Sequence, residues 1–565
     1  MGARDERCSK VDGGGITRSE DLHIRQPFLL KLVQSRASWQ WIVVGALLIS
    51  LLYLPSLTTP FDFIDDGNLV YPAPAMPLDQ RLHLVWQKIV ANYQDLGPFR
   101  PTLWLHWETA AELFVGNSIL WRSARLVWCG IACSAFLWFM LELGIHPVAS
   151  LLAVSAAMWN PFRNEIWTSL TLSEGVAMPY ALLSLVCAIR AARSKKSGLW
   201  DLAGVICMIV ALGCKNTFMA AIPAQVFLRI AANDNDWRQA WRKHGGRACV
   251  LALTLLLPLA HLAWFKLNWH PGQYQPGVPT LGQLARIISG LKGAISLDFF
   301  GIGLFLTIIT LALSQRSNAQ GFAPKSSNSV YGSLPWRSYA LALTAAGLLL
   351  VAGVGVYLPM DAFCGRYTIP AVWGLDIVIG VLLSQLFSCP RSAWRRVAIV
   401  ALVCGLVAVG VANIGKQQKF AARARLLWQA LEWIEREAPT GARIDWVGRH
   451  DMPGAHDKTA RLGGRDQVLD PEEGIHFAWH LGARGRSDLK LGLLDEDGHP
   501  LQRAELDRTS GPPDLVVSSR PVLPPLLTRL DPAWRRYPFS VQYWFGQRSF
   551  QCFVWTRTPT AGGSP

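Results

Sequence analysis

Residues 61–67 read FDFIDDG, and they follow an apolar run, Trp39–Leu57, that is long enough to cross a membrane. The stretch places three carboxylates, Asp62, Asp65 and Asp66, within five residues. A carboxylate cannot lie in hydrocarbon unless it faces water or pairs with a cation, because its desolvation is too costly. The stretch is therefore predicted to lie at the mouth of a membrane segment, and the other motifs are interpreted around it.

The segment after these carboxylates is predicted to be a helix on the membrane surface. Its apolar residues recur every three or four positions over Pro77–Tyr93, which is typical of an amphipathic helix. Such a helix lies in the interface with its apolar face buried. The segment closes with GPFRPT at positions 97–102, which contains Arg100. The apolar residues of the helix are Leu78, Leu82, Val85, Trp86, Ile89, Val90 and Tyr93.

The composition indicates an α-helical polytopic membrane protein. The 565 residues are 51% hydrophobic and 16% charged, which is too apolar for a soluble protein of several domains. Eleven apolar runs are candidate spans, and those at 147–161, 199–213 and 217–231 are short enough to be partial or tilted. The runs are Trp39–Leu57, Ser118–Leu143, Pro147–Pro161, Gly175–Ala191, Leu199–Gly213, Thr217–Ala231, Ala248–Leu267, Ala294–Ser314, Ser338–Leu358, Pro370–Phe387 and Val397–Gly415.

The lysines and arginines of the connecting segments predict the orientation. With the N-terminus inside, the cytoplasmic segments hold 22 of them and the opposite segments hold 9. Cations are retained on the cytoplasmic side, so the count predicts a cytoplasmic tail at residues 1–38 and an external C-terminal region. The large first loop, residues 58–117, is then also external.

The net charge of +15 does not indicate a nucleic-acid-binding protein, because the cytoplasmic cations are spread over separate loops beside membrane segments. Most of the 11 cysteines lie inside apolar runs, where they behave as small hydrophobic residues. No C-x-x-C spacing of a metal site occurs. The sequence does not decide whether a divalent cation takes part in the function.

Arginines mark the outer ends of two further spans. Arg122 and Arg125 are three residues apart and so share a helix face, and we expect them to reach out to lipid head groups. Arg163 lies in the short outer turn WNPFRNE, residues 159–165, which either lines a site or caps the interface.

Two more cations lie on the same predicted side of the membrane as Asp65 and Asp66. Lys215 lies between two apolar runs, and a lysine at membrane depth is costly unless an anion compensates it, as a phosphate would. Arg366 lies in the loop LPMDAFCGRYTIP, residues 358–370, where it either pairs with Asp361 or is available to an anion.

From residue 416 the composition becomes that of a small external α/β domain, residues 416–565. The pattern predicts an amphipathic helix at Phe420–Glu437 and a loop-like segment at Asp451–Gly511. Four strands are predicted, at Arg443–Val447, Asp514–Ser518, Ser540–Phe545 and Gln551–Thr556.

Carboxylates at an external membrane surface, faced by cations from other loops, suit a reaction in which a hydroxyl displaces a phosphate. A carboxylate accepts the proton of the nucleophile, and cations stabilise the charge that develops on the departing phosphate. Without such chemistry, the pair Asp65 and Asp66 is a solvated loop or a cap on the surface helix.

In these motifs the chain resembles polytopic glycosyltransferases of the GT-C superfamily, which use dolichyl-phosphate or polyprenyl-phosphate sugars. The matching features are Asp65-Asp66 after the first span, Phe99-Arg100-Pro101 after the surface helix, Lys215, and Gly365-Arg366-Tyr367 with Pro370 before a late span. The resemblance covers the membrane region, residues 39–415. Asn216 departs from the pattern, since relatives often carry an acid after the lysine.

The resemblance implies an inverting transfer of a sugar from polyprenyl phosphate to a hydroxyl of a glycan, lipid or protein. It also implies that the reaction takes place at the external face of a bacterial inner (plasma) membrane. Asp65 or Asp66 would be the base. Arg100, Lys215 and Arg366 would bind the phosphate, with Arg163 as a further candidate.

Two other classes remain open on the sequence. A transporter of a lipid-linked saccharide would show internal repeats and ionisable residues near the membrane midplane, whereas here the polar positions lie at the outer ends. A polysaccharide polymerase or ligase would carry its key residues in a large late external loop, whereas here the long loop comes first. A non-catalytic membrane scaffold is also compatible with the sequence.

Overall fold

A computed structural model describes most of the chain. The described residues are 39–63, 66, 77–96, 99–233, 237–268, 280–319, 336–358, 368–389, 392–447, 471–494, 513–519, 521, 523–524, 527, 534–543, 546 and 548–557. The predicted cytoplasmic tail, residues 1–38, and the predicted site residues Asp65 and Arg366 lie outside them.

Helices make up the first four hundred residues of the described chain. The first, α1, ends in a 3-10 segment at Leu51–Thr58, and a second 3-10 segment, Asn216–Ala221, follows α8. The helices are α1 Trp39–Thr58, α2 Leu78–Leu96, α3 Pro101–Phe114, α4 Ser118–Glu142, α5 Pro147–Trp159, α6 Glu165–Thr168, α7 Ser173–Arg193, α8 Ser197–Cys214, α9 Ile222–Ala231, α10 Trp237–Leu253, α11 Leu256–Asn268, α12 Leu281–Ala294, α13 Leu297–Ala319, α14 Trp336–Tyr357, α15 Ile369–Ser388, α16 Ala393–Glu437 and α17 Pro471–Ala483.

Eight helices of the described chain are long and apolar enough to cross a membrane: α1, α4, α7, α8, α13, α14, α15 and α16. The prediction of a helical polytopic membrane protein is therefore confirmed. Three of the eleven predicted runs differ, because α5 has 13 residues and two other runs are interrupted. Proline explains both interruptions, since it lacks an N–H and clashes with the carbonyl four residues earlier. Pro223 and Pro258 lie in the first turns of α9 and α11, just after the two breaks.

Helices α7 and α15 form the centre of the membrane region. In an apolar stretch of 18 residues, 83% of α7 and 78% of α15 is buried inside the protein. Helix α7 packs against α4, α8 and α9, whereas α15 packs against α5, α13 and α14. Small residues allow the closest approach, because a Cβ atom at Gly374 of α15 would collide with the carbonyl oxygen of Ala346 on α14. Glu174, a charged residue of the candidate site, lies in the first turn of α7.

A five-stranded mixed sheet forms the C-terminal domain, in the order β2-β1-β3-β5-β4. Strand β1 pairs in parallel with β2 and β3, whereas β5 pairs antiparallel with β3 and β4. Helices α16 and α17 pack on the sheet. The predicted α/β domain is confirmed, and each of the four predicted strands overlaps an observed one, although the strand predicted at Ser540–Phe545 begins earlier, at Trp534. The strands are β1 Arg443–Val447, β2 Lys490–Leu494, β3 Leu515–Ser518, β4 Trp534–Tyr543 and β5 Arg548–Arg557.

The prediction that Asp451–Gly511 is loop-like is wrong for two parts of that segment. It contains α17 and β2. Gly474 and Gly482, with two histidines, dilute the helical periodicity of α17, and β2 is only five residues long. Two parallel strands need a crossover connection between them, and α17 lies in the crossover from β1 to β2.

The predicted amphipathic helix at Phe420–Glu437 is the second half of α16, a single helix of 45 residues. At a rise of 1.5 Å per residue it is roughly 65 Å long. Its first half is one of the candidate membrane spans, and its last turns bury Leu427, Leu431 and Ile434 in the core of the C-terminal domain. The predicted domain boundary at residue 416 therefore lies inside a continuous helix.

Candidate active site

Asp66 lies inside the protein, just beyond the end of α1. Its side chain is 0% exposed, and its Oδ2 atom accepts a hydrogen bond of 2.8 Å from the backbone N–H of Asp62. Asp62 is also buried, and its Oδ1 atom accepts from the N–H of Phe63 at 2.8 Å. Carboxylates that accept from nearby backbone groups hold a turn in one conformation. The carboxylate loop, residues 61–63 and 66 of the described chain, is thus folded onto the protein.

Arg122 and Arg125 are buried behind this loop, with exposed fractions of 1% and 4%. Arg122 donates to the backbone carbonyl groups of Thr59, Pro60 and Thr168. The prediction that both arginines reach lipid head groups is wrong. Their face of α4 points inward, where backbone segments 59–60 and 168–172 present carbonyl groups that need donors.

Arg125 links the carboxylate loop to α7. Its guanidinium donates to the carbonyl groups of Ser169, Leu170 and Leu172 at 2.7–3.0 Å, on the segment that leads into α7. Carbonyl groups carry no net charge, so these hydrogen bonds do not neutralise the positive charge of Arg125. That charge interacts with the carboxylates of Asp66 and Glu174, and the charge of Arg122 interacts with Asp66 and Asp62.

Lys215 forms an ion pair with Glu174, with 3.0 Å between Nζ and Oε1. Both side chains are buried. The anion that the sequence requires for Lys215 is therefore supplied by the protein itself. Glu174 lies in the first turn of α7, where the helix dipole stabilises a negative charge. Relatives often carry an acid directly after the lysine, where this chain has Asn216; here Glu174 of another helix supplies the acid. The sequence signal for Glu174 was a carboxylate at the start of an apolar run.

Five side chains accordingly form one buried charged row, with charges of both signs along it: Asp66, Arg122, Arg125, Glu174 and Lys215. The structure brings Asp66 and Lys215, which the sequence predicted from separate loops, into the same row. Buried charges cost free energy unless they are paired and hydrogen-bonded, so such a row is expected where function requires it.

Arg100 lies beside the Lys215 end of the charged row. It immediately precedes α3, and its charge interacts with Cys214, the neighbour of Lys215. The N-terminus of α3 abuts the C-terminus of α8 so closely that a Cβ atom at Gly213 would collide with Thr102. The predicted phosphate ligands Arg100 and Lys215 therefore lie at one junction of two helices.

Arg163 is held in a different environment. Its guanidinium makes a bidentate ion pair with Asp376 of α15, at 2.8 and 3.0 Å, and both side chains are buried. It also donates to the carbonyl of Ala294. These bonds tie the turn at residues 159–165 to α15 and to the end of α12. In the structure the charge of Arg163 thus faces a carboxylate of the protein.

A cavity of about 130 Å³ between α3 and α4 reaches the charged row at Arg125. Aromatic side chains, Phe114, Trp121 and Trp128, form much of its wall. His106 also lines it, and burial together with the charge of Arg125 lowers the pKa of His106 to about 4. His106 is therefore neutral at pH 7, and the cavity is apolar with a single cationic end.

The C-terminal domain docks on the carboxylate loop through aromatic side chains. The ring of Phe63 packs against Trp428, Phe477 and His480, with centroids 4.9–5.6 Å apart. His480 is fully buried, and the backbone of Asp62 and the charged or titratable groups His476 and Arg484 face it. Burial, with the smaller effects of His476 and Arg484, lowers the pKa of His480 to about 3. The neutral ring of His480 thus packs against the loop that carries Asp62 and Asp66.

We expect His480 to make the C-terminal domain less stable in acid. An unfolded histidine has a pKa of about 6.5, so below that pH the unfolded state binds a proton that the folded state excludes. The free energy of unfolding should be unaffected above pH 6.5 and should fall by about 2 kcal/mol between pH 6.5 and pH 5. Chemical unfolding of the full chain in detergent, followed by tryptophan fluorescence at both pH values, measures this loss.

The variant His480→Phe should lose most of this pH dependence, because phenylalanine fills the site without titrating. His83→Gln, on the exposed face of α2, is the matched control and should retain it. An equal pH dependence in His480→Phe and in the parent would contradict the assignment.

No group of three or more His, Cys, Asp and Glu side chains is placed to hold a metal ion within the part of the chain that the structure describes. No protein-family model matches the sequence, and no curated protein matches it either.

The chain is similar to two solved structures of ArnT from Cupriavidus metallidurans. The structure bound to undecaprenyl phosphate has 14% identity and a TM-score of 0.41, and the match covers 93% of this chain and 99% of that one. The apo structure has 14% identity and a TM-score of 0.40, with 94% and 100% covered.

Proposed function

We propose that this protein transfers a sugar from a polyprenyl-phosphate donor to an acceptor hydroxyl, with inversion at the anomeric carbon. The observation that carries the proposal is the fully buried Asp66, which lies beside Arg122 and Arg125 in a charged row that ends at Lys215. A carboxylate and several cations are the groups that this reaction needs.

In the proposed step, the acceptor oxygen forms a bond to the anomeric carbon while the bond from that carbon to the phosphate oxygen breaks. Asp66, or its neighbour Asp65, takes the acceptor proton. The electron pair of the broken bond stays on the polyprenyl phosphate, and cations stabilise it there. The hydrogen bond from Asp62 orients the Asp66 carboxylate before the acceptor arrives.

We assign phosphate binding to Lys215, Arg100 and Arg366. Arg122 and Arg125 act as positioning residues, because each fixes a backbone segment beside the carboxylates. Arg163 is also assigned a positioning role, since its ion pair with Asp376 fixes α15, which begins shortly after Arg366. A divalent cation requirement is left to experiment.

The proposal places the reaction at the external face of the plasma membrane. This placement rests on the lysines and arginines of the connecting segments, of which 22 lie in the predicted cytoplasmic segments and 9 in the opposite ones. The tail at residues 1–38 would then be cytoplasmic, residues 39–415 would form the catalytic membrane domain, and residues 416–565 the external domain.

The Lys215→Gln variant should bind undecaprenyl phosphate roughly 10- to 100-fold more weakly than the parent. A hydrogen bond to a charged group contributes about 1.5–3 kcal/mol, which corresponds to this range. Titration of the lipid into full-length protein in nanodiscs measures the dissociation constant, and release of polyprenyl phosphate from a polyprenyl-phosphate sugar measures turnover.

Lys490→Gln is the matched control, because it removes an exposed lysine of β2 that lies outside the charged row. It should not weaken binding. If Lys215→Gln binds the lipid as tightly as the parent, Lys215 does not bind the phosphate. If the parent neither binds undecaprenyl phosphate nor releases it from a sugar donor, the proposed function is wrong.

A further inference from the structure

The end of α8 that lies opposite Lys215 meets another helix of the chain. Helix α8 has 18 residues, so it is roughly 27 Å long, which is close to the thickness of a membrane hydrocarbon core. Lys215 follows its C-terminal end. At its N-terminal end α10 packs beside it, and Arg247 Nη1 donates to the hydroxyl of Ser197. This N-terminal end lies on the predicted cytoplasmic side, away from the charged row.

Exposed lysines and arginines gather at this end of α8. Four belong to α10, which contains no aspartate or glutamate. Two belong to the segment just before α8, which the bond between Arg247 and Ser197 joins to α10. The structure thus brings together cations that the sequence distributes over two separate connections. We call these six residues the cationic surface: Lys195, Lys196, Arg238, Arg242, Lys243 and Arg247.

The carboxylates beside the cationic surface are shared by more than one arginine each. Both oxygens of Asp201 accept hydrogen bonds from the fully buried Arg229, at 2.6 and 3.1 Å, and Arg247 lies 3.9 Å from the same carboxylate. Glu142 is likewise paired with two arginines of α7. A carboxylate shared by two arginines leaves one positive charge uncompensated, so these two acids do not neutralise the surface.

The charge balance of this region is positive even when every acid in it is counted. The connections at residues 190–198 and 229–247 hold nine lysines and arginines, whereas the acids in or beside them are four: Glu142, Asp201, Asp234 and Asp236. The tail at residues 1–38, which is predicted to lie on the same side, holds seven lysines and arginines and five acids, so it does not supply the missing negative charge. The surplus is therefore available to anions from outside the chain.

Helix α10 leads from these cations to an apolar surface. Trp241 lies among the cations and is 47% exposed, and its ring lies against Gly245, where a Cβ atom would approach the ring to 3.2 Å. Val250 and Leu253, in the second half of the helix, are more than half exposed, as expected for side chains that face lipid. Tryptophan is enriched at the boundary between head groups and hydrocarbon. The cations of α10 therefore lie at head-group depth, where the available anions are those of lipids.

We propose that the cationic surface binds anionic phospholipids of the adjoining leaflet. The phosphate group meets the lysines and arginines, and the acyl chains lie against the apolar second half of α10. A zwitterionic phospholipid carries a cation of its own, so it gains less from the same surface. The proposal is independent of the proposed sugar transfer, because the charged row lies at the other end of α8.

Native mass spectrometry of the full chain in detergent micelles, with phosphatidylglycerol or phosphatidylcholine added, tests the proposal. The parent should bind phosphatidylglycerol roughly tenfold or more tightly than phosphatidylcholine, because each nearby cation strengthens the attraction by a factor of about five. The neutral triple variant, Lys195→Gln with Lys196→Gln and Arg242→Gln, should reduce this preference by a factor of roughly five or more. The charge-retaining variant, Lys195→Arg with Lys196→Arg and Arg242→Lys, should keep it.

A second triple variant is the matched control. Arg286→Gln with Lys490→Gln and Arg548→Gln removes the same charge from exposed positions outside the cationic surface, and it should keep the preference. If the neutral variant does not fold, the single variant Arg242→Gln answers the same question, since it should lose part of the preference.

Three results would overturn the proposal. The first is equal affinity of the parent for the two lipids. The second is an equal preference in the parent and in the folded neutral variant, or an equal loss in the matched control. The third is binding of glycerol 1-phosphate, a soluble phosphate ester, as tight as that of phosphatidylglycerol, which would make the surface a site for soluble anions.

Discussion

Replacing Asp66 with asparagine should reduce sugar transfer by a factor of roughly 10² to 10⁴ if Asp66 is the base. Asparagine keeps the shape of the side chain and can still accept the hydrogen bond from the N–H of Asp62. It cannot take up the acceptor proton. The rate should therefore fall while the affinity for undecaprenyl phosphate does not, since the removed negative charge does not attract a phosphate. Steady-state transfer and lipid titration on the same preparation measure the two effects.

Asp65 is the other candidate base, so Asp65→Asn and the double variant belong in the same experiment. If Asp65 is the base, the loss should appear in Asp65→Asn and not in Asp66→Asn. Asp79→Asn is the matched control, because Asp79 is an exposed carboxylate in the first turn of α2. The base assignment is refuted if the double variant transfers sugar at the parental rate.

Breaking the ion pair between Arg163 and Asp376 should destabilise the fold more than any other single change considered above. The two side chains are 5% and 3% exposed. Removal of one partner leaves an uncompensated buried charge, so Asp376→Leu should lower the free energy of unfolding by about 3–5 kcal/mol. The double variant Arg163→Met with Asp376→Leu removes both charges and should recover most of that loss.

An exposed pair provides the control for this measurement. Lys292 and Asp298 lie 3.6 Å apart with 62% and 70% of their side chains exposed, so Asp298→Asn should change stability by less than about 1 kcal/mol. The double variant also separates the two roles considered for Arg163. If it is stable and binds undecaprenyl phosphate normally, Arg163 is a positioning residue. If it is stable but binds the lipid much more weakly, Arg163 contacts the phosphate as the sequence predicted.

The sequence revealed those charges that lie at the ends of apolar runs. Asp66 and Lys215 lie at the ends of apolar segments, at predicted membrane surfaces. A charged residue in such a place can be recognised from the sequence without knowing which residue it pairs with. Their partners could not be predicted in the same way. Glu174 is distant in sequence from Lys215, and Asp376 is more than two hundred residues from Arg163. Such pairs depend on which helices become neighbours, which local periodicity does not encode.

The burial of Arg122 and Arg125 was missed for a related reason. An arginine near the end of a span can reach the head groups or turn inward, and the choice depends on whether other segments offer acceptors. Here the carbonyl groups of segments 59–60 and 168–172 offer them. In contrast, the strands β1 and β3 were predictable, because their hydrophobic patterns report burial directly. Helix α2 was predictable from the three- and four-residue spacing of its apolar residues.

Helix α16 is uninterrupted, so its number of residues fixes the distance between its apolar first half and the sheet. A helix turns by about 100° with each residue, so adding or removing one residue before Trp428 would rotate the sheet around the axis of α16 and shift it along that axis. Trp428 would then lose its hydrogen bond to the carbonyl of Phe61. The number of residues in α16 therefore sets the angle at which the C-terminal domain meets the carboxylate loop.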